Sequence, residues 1–311
     1  MQIRERTLNK LTAKELKGDM ILIAAAFIFG TGLVAQKAGM DHLGPFTFTT
    51  IRFLLGGIVL IPVAGMIRSR KPAEVLAQQL SIRQMIPGAV ISGINLAVGC
   101  IIQQYGLPLT TVGKAGFICS LYVLMTPIAG LIFFRRRISR RIWLGVFIAV
   151  VGFYFLSFSG GIEKFGLGDF LMFLTAMSLT FFVYTMDHFA AKAEAAAFTC
   201  IQFLATGLIT LPFALILEHA TLADITASIW PILYAGIILC AAGYTFQMIG
   251  QETVESTRAT ILLSTESLFS MLAGLVFYHE HLLGREYLGC ALIFAEVIIA
   301  ETQQSTGEGK R

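Results

Sequence analysis

The stretch AGFICSLYVLMTPIAGLIFF, residues 115–134, returns as ATILLSTESLFSMLAGLVFY at residues 259–278. The match runs on without a gap from 105–155 to 249–299, at a constant offset of 144, and eleven of its 51 positions are identical. Gly106/Gly250, Ser120/Ser264, Gly130/Gly274, Arg141/Arg285 and Gly145/Gly289 are among them, and Lys114 stands against Arg258. Apolar composition alone does not keep glycines and cations in step over such a length. The chain therefore reads as two copies of one unit.

The unit belongs in a bilayer. The chain has 311 residues, 56% of them hydrophobic and 14% charged, with a mean hydropathy of +0.77. Soluble domains carry about 25% charged residues. Ten apolar runs are legible, over 19–38, 45–67, 86–105, 112–134, 141–158, 168–187, 197–217, 230–250, 257–278 and 284–301. Each is close to the ~20 residues that cross a hydrocarbon core. The expectation is an all-α membrane protein with ten transmembrane helices. The first run follows 18 mostly polar residues and no A-x-A site, so it is read as a permanent helix. Cys100, Cys119, Cys200, Cys240 and Cys290 all lie in apolar runs without a C-x-x-C pair, the pattern of small buried hydrophobes.

Placing the charges loop by loop gives an orientation. With the N-terminus in the cytoplasm, 18 Lys and Arg fall inside, including Arg68, Arg70, Lys71, Arg83 and the cluster Arg135–Arg137, Arg140 and Arg141. Four fall outside: Lys37, Lys114, Lys164 and Arg285. Cytoplasmic enrichment of cations puts both termini inside, and the Arg cluster reads as a topology anchor on anionic lipid heads, not a nucleic-acid surface.

The repeat reaches further than its best stretch. Gly18-Asp19 matches Gly168-Asp169 at offset 150, and 48–62 matches 198–212 at the same offset through Phe48/Phe198, Phe53/Phe203, Gly57/Gly207 and Pro62/Pro212. The third and eighth runs return to offset 144 through Pro87/Pro231, Gly99/Gly243 and Gln103/Gln247. The expected organisation is a cytoplasmic segment 1–18, a first five-helix repeat 19–158, a second 168–301 and a cytoplasmic tail 302–311. Five spans per copy is an odd number, so the copies must be inverted. Inverted repeats are a mark of secondary transporters, whose substrate site lies near midplane between the halves.

Three segments carry a family resemblance: Pro45-Phe-Thr-Phe-Thr-Thr-Ile-Arg52, the Ala115…Ser120…Thr126-Pro127 course, and the hinge from Tyr278-His-Glu280 to Gly289. With the duplicated plan they resemble the EamA family of the drug/metabolite transporter superfamily, over about 19–301. The resemblance implies a multi-pass inner-membrane transporter of bacterial type, moving amino acids or related metabolites and often exporting them. The first copy departs from the pattern, with Arg136 where the second has Glu280, and Gln202 stands where the second span has Arg52.

Ionisable residues inside a span are costly and are functional candidates by default. Arg52 lies about 10 Å below the membrane surface at ~1.5 Å per residue, open to a substrate role, an ion pair or snorkelling. Glu266 falls near midplane. It is a candidate for a proton or a cationic substrate group, or for pairing with Arg52. Ser270 follows it by four residues on one face, and the repeat puts Tyr122 and Thr126 at the equivalent positions. Asn95, Gly99 and Gln103 form a stripe, echoed by Gly243 and Gln247, that suits a cavity wall or tight packing. The expected cavity lies among spans one, three, four, six, eight and nine. Gln36 and Tyr184 near span ends, and Lys37 and Lys114 as snorkelling cations, are weaker candidates, and Glu296 reads as interfacial. His279-Glu280-His281 has poor spacing for a metal site.

No phosphate-binding G-x-x-x-x-G-K-[ST] loop occurs. No cofactor, metal or nucleic-acid partner is expected, and no catalytic arrangement stands out. The expected partners are a small-molecule substrate and membrane lipid, with a homodimer left open by the small-residue pairs Ala129-Gly130 and Ala273-Gly274. The rival readings are an exchanger of sugar nucleotides or phosphate compounds, a membrane-embedded enzyme, and a lipid-binding or assembly subunit.

Overall fold

The computed structural model describes residues 2–70, 72, 74, 79–134, 140–157, 166–190, 192–254, 259, 262–280, 284, 285, 287–292, 294 and 295. Every regular element among them is helical: α1 (Gln2–Gly39), α2 (Pro45–Arg70), α3 (Ile82–Gly106), α4 (Val112–Ser120), α5 (Tyr122–Phe134), α6 (Arg140–Ser157), α7 (Leu167–Ala190), α8 (Ala195–Leu217), the short α9 (Leu222–Ala227), α10 (Ile229–Gln251) and α11 (Leu262–Tyr278). Six of these are long and apolar enough to cross a membrane: α1 from Leu16, α2, α3, α7, α8 and α10. The expected fourth span is divided into α4 and α5, the ninth is a shorter apolar helix, and only parts of the tenth are described. Arg135–Arg137, Arg258, His281 and Glu296 lie outside the described residues.

Each copy's first helix packs against the other copy's third and fourth: α1 lies on α10 and α11, and α7 lies on α3, α4 and α5. Between them α2 and α8, the repeat mates, cross antiparallel. Glu218 at the end of α8 accepts the Phe46 and Thr47 N–H groups at the start of α2 (2.9 and 2.7 Å). Further along, Thr50 Oγ1 meets Thr210 Oγ1 at 2.8 Å, and the Phe53 and Phe203 rings lie 5.1 Å apart. A Cβ on Gly57 would come within 2.8 Å of Leu204, and one on Gly207 within 2.6 Å of Leu54. Those two contacts exchange under the offset of 150, so a pseudo-twofold axis passes through this crossing.

The same symmetry explains why particular glycines recur. A Cβ on Gly106 would fall 2.6 Å from Met172 of α7, and one on Gly250 would fall 2.5 Å from Leu22 of α1. Met172 and Leu22 are themselves repeat mates. Lipid tails are as apolar as leucine, so helices in a bilayer associate by close van der Waals packing, and the duplicated glycines supply it. Hydroxyls inside the helices bond back to their own turns, as in Thr175 to Leu171 O and Thr180 to Ala176 O (both 3.0 Å). A buried hydroxyl thus finds an acceptor without a partner helix.

Candidate substrate cavity

A cavity of about 60 Å³ lies at the centre of this arrangement. α1 contributes Phe29, Leu33 and Gln36; α3 contributes Gly99, Cys100 and Gln103; α5 contributes Tyr122. From the second copy come Thr175, Leu179, Phe182 and Val183 of α7, Leu239, Tyr244 and Gln247 of α10, and Leu263 and Glu266 of α11. These are the elements of the expected first, third, fourth, sixth, eighth and ninth spans. The lining is itself duplicated, since Phe29/Leu179, Leu33/Val183, Cys100/Tyr244, Gln103/Gln247 and Tyr122/Glu266 are repeat mates. The cavity therefore sits on the pseudo-twofold axis.

The helices that carry Tyr122 and Glu266 are interrupted at matching positions. α4 and α5 are divided at Leu121, whose N–H bonds Ile118 O (3.2 Å) in a three-residue turn. α11 has the same turn at Thr265, whose N–H bonds Leu262 O (3.3 Å). Leu121 and Thr265 are repeat mates, and each immediately precedes the cavity residue. A tightened turn disturbs the regular i→i−4 ladder. The Ser120 hydroxyl takes up Phe117 O (2.7 Å), and the Thr265 hydroxyl takes up Leu262 O (2.6 Å). Interrupted helices at membrane depth are tolerated where they are buried in protein or line a cavity.

Glu266 makes no ion pair among the described residues, whereas Lys37 pairs with Glu280. Gly30 lets α1 approach it closely, for a Cβ there would fall 2.5 Å from Glu266 O. Arg52 stands apart from Glu266. It is only 1% exposed, donates through Nη1 to Gln36 Oε1, and lies over the Phe48 and Phe53 rings at 5.5 and 4.8 Å. Its Nε has no hydrogen-bond partner among the described residues. Arg52 is therefore a neighbour of the cavity, connected to it through Gln36, and it does not neutralise Glu266.

Four of the eight candidate site residues line the cavity together: Glu266, Tyr122, Gln103 and Gln247. Gln103 also donates to Cys119 Sγ (3.8 Å). Asn95 lies elsewhere. It hydrogen-bonds Ser178 of α7 (2.8 Å) and borders a separate groove with Ile91, Phe181 and His188. Ser270 is fully buried where α11 meets α4, bonded to Ser267 O (2.8 Å), and the absent side chain of Gly116 makes room for it. Thr126 bonds back to Tyr122 O (2.7 Å), and its own carbonyl accepts the Tyr184 hydroxyl (2.6 Å). Lys37, expected to snorkel, instead pairs with Glu280, because the α11 hinge brings a carboxylate within its reach.

The match of duplicated helices around a polar centre agrees with what comparison shows. The model of the EamA-like transporter family matches residues 16–158 and again 166–301. The chain belongs to the EamA-like transporter family. An uncharacterized transporter of Archaeoglobus fulgidus is 29% identical over 289 residues, covering 92% of this chain and 86% of the relative. The uncharacterized transporter YetK of Bacillus subtilis is 23% identical over 210 residues, covering 66% and 62%. A solved structure titled "Crystal structure of protein" shares the fold with a TM-score of 0.69 at 18% identity, over 93% of this chain and 98% of the other. The chain is thus a membrane transporter, as the resemblance implied.

Within this EamA-like cavity, sequence reasoning missed Phe29, Cys100, Thr175, Phe182 and Tyr244. Aromatic and cysteine residues in an apolar run read as core. One signal was available: Cys100 and Tyr244 are mates, each one step beyond Gly99 and Gly243 of the polar stripe.

Proposed function

We propose that this transporter is a secondary carrier that moves a small organic metabolite, an amino acid or related compound, by alternating access between two inverted five-helix halves. The reading includes ten transmembrane helices, a bacterial inner-membrane location with both termini cytoplasmic, and net export. The observation that carries it is the placement of Glu266 and Tyr122, repeat mates beside matched helix interruptions, in one cavity on the pseudo-twofold axis.

Among the described residues Glu266 has no cationic partner, the arrangement that suits a reversible proton or the ammonium group of a substrate. Arg52, held by Gln36 at the cavity edge, is the complementary site for a carboxylate. Tyr122, Gln103 and Gln247 orient what lies between. Asn95, Ser270 and Thr126 serve the packing around this site. The present volume admits a few waters and falls short of the ~300–1,000 Å³ of common ligand sites. Transport therefore requires the helices to part, first toward one face and then toward the other.

An exchanger of sugar nucleotides or phosphate compounds needs several cations on its cavity wall. No described lining residue is Lys or Arg, which favours the metabolite reading. The test is reconstitution into liposomes with a metabolite panel, with and without a pH gradient. Glu266→Gln is expected to abolish the response to the gradient and to lower uptake at least ~tenfold, the scale of one charge-assisted interaction. Wild-type rate and wild-type pH dependence in that variant would remove Glu266 from the mechanism.

A further inference from the structure

Lys37 sits in the last turn of α1, and Glu280 follows the end of α11. Their Nζ–Oε1 distance is 3.4 Å, and their side chains are 19% and 12% exposed. Glu280 is engaged on both oxygens. Oε1 accepts the Val112 N–H (2.8 Å) and Oε2 the Gly113 N–H (3.1 Å), the first amides of α4. Lys37 Nζ donates to Thr110 O (2.8 Å) and lies 5.0 Å from the centroid of the Tyr278 ring. Thr110 in turn donates through Oγ1 to Asp169 at the start of α7 (2.7 Å). A chain of charge-assisted contacts thus ties α1, α4, α7 and α11 together at one face, beside Gln36 of the cavity wall.

The closeness of these groups is built into the backbone. A Cβ on Gly274 would collide with Glu280 Oε2, so the glycine leaves room for the carboxylate where it caps α4. His279 takes a left-handed conformation (φ 50°) and turns the chain so that Glu280 N–H bonds back to Gly274 O (3.2 Å). The sequence adds an independent observation. At the offsets of the repeat, Lys37 corresponds to Asp187 and Glu280 to Arg136: the same two charges, with signs exchanged. Complementary charge is thus kept at both positions of the two diverged copies.

We propose that Lys37 and Glu280 form the gate that holds the cavity shut on the face where α1 and α11 end. The proposal deepens the alternating-access reading and rests on it. Opening this face separates the pair and rewets both charges, and closing restores a dry contact among the four walls.

Cys100 on the cavity wall is a native reporter. In a full-length chain whose other four cysteines are replaced by alanine, a membrane-impermeant maleimide is applied to right-side-out and to inverted membrane vesicles. Lys37→Met removes the pair but leaves the Glu280 cap on α4. It is expected to label at Cys100 roughly tenfold faster from the Lys37 face only, the equivalent of one charged hydrogen bond, while Lys37→Arg labels at the wild-type rate. Glu280→Gln gives the same one-sided rise together with a lowered Tm, because the helix cap is weakened. An unchanged rate in a folded Lys37→Met protein overturns the gate, as does an equal rise from both faces. Labelling needs no substrate, so the two readings separate. A one-sided rise with no metabolite transported leaves the gate standing without the carrier reading; unchanged labelling with intact transport does the reverse.

Discussion

Arg52 is the residue whose environment says most about what a substitution would do. Its guanidinium is planar, bonded to Gln36 on one edge and placed over two phenyl rings. A lysine keeps the charge but offers a compact ammonium that neither stacks as a plane nor presents a fork. Arg52→Lys is expected to cost about 1–3 kcal/mol of stability, seen as a lower Tm in detergent. It is also expected to raise KM for a carboxylate substrate more than it lowers kcat. A variant with unchanged KM and a lower Tm would assign Arg52 to packing alone. Glu266 and Arg52 were both legible in the sequence because a charge inside an apolar run is visible without any fold. Their relation was not legible. Pairing between them was one expectation, and the structure puts Gln36, not Glu266, on the guanidinium. Lys37 and Glu280 were unreadable as a pair for a simpler reason: 243 residues separate them.

At the scale of elements, the deciding contacts are backbone against backbone. Gly30 of α1 faces the Glu266 carbonyl beside the α11 interruption, where an added Cβ would fall 2.5 Å away and neither backbone can yield cheaply. Gly30→Ala is expected to displace the α11 turn and reduce transport at least ~tenfold, although alanine is the better helix former by about 1 kcal/mol. Gly65→Ala is the control, since nothing lies within 4 Å of its Cβ, and it should leave transport unchanged and raise Tm slightly. Equal behaviour of the two variants in an uptake assay would dissociate Gly30 from the site. The matched interruptions at Leu121 and Thr265 could not be foreseen, because neither residue type breaks a helix. Ser270 follows Glu266 by one turn of the same helix, and over that turn the shared face passes from the cavity to the α4 interface. The duplicated glycines, by contrast, were plain in the alignment and do the packing that their recurrence suggested.

At the scale of the whole molecule, symmetry and asymmetry divide the labour. The scaffold is nearly twofold, with α2 against α8 on the axis and each first helix against the other copy's third and fourth. The charges are not. Glu266 has Tyr122 as its mate, and most of the cations assigned to the cytoplasm lie in the first copy. The proposed topology thus depends on the first half, and the second half, nearly neutral, follows it. Replacing Arg135, Arg136, Arg137, Arg140 and Arg141 together with glutamine removes five of the 18 cations assigned to the cytoplasm. Short cytoplasmic loops set orientation through their Lys and Arg content. A mixed population is therefore expected, read by a C-terminal reporter active only outside the cytoplasm: silent in the wild type and active in a fraction of the variant. A wild-type reporter that is active from the start would reverse the assigned faces. The Lys37–Glu280 pair would then close the cytoplasmic side, and export would require that side to open first.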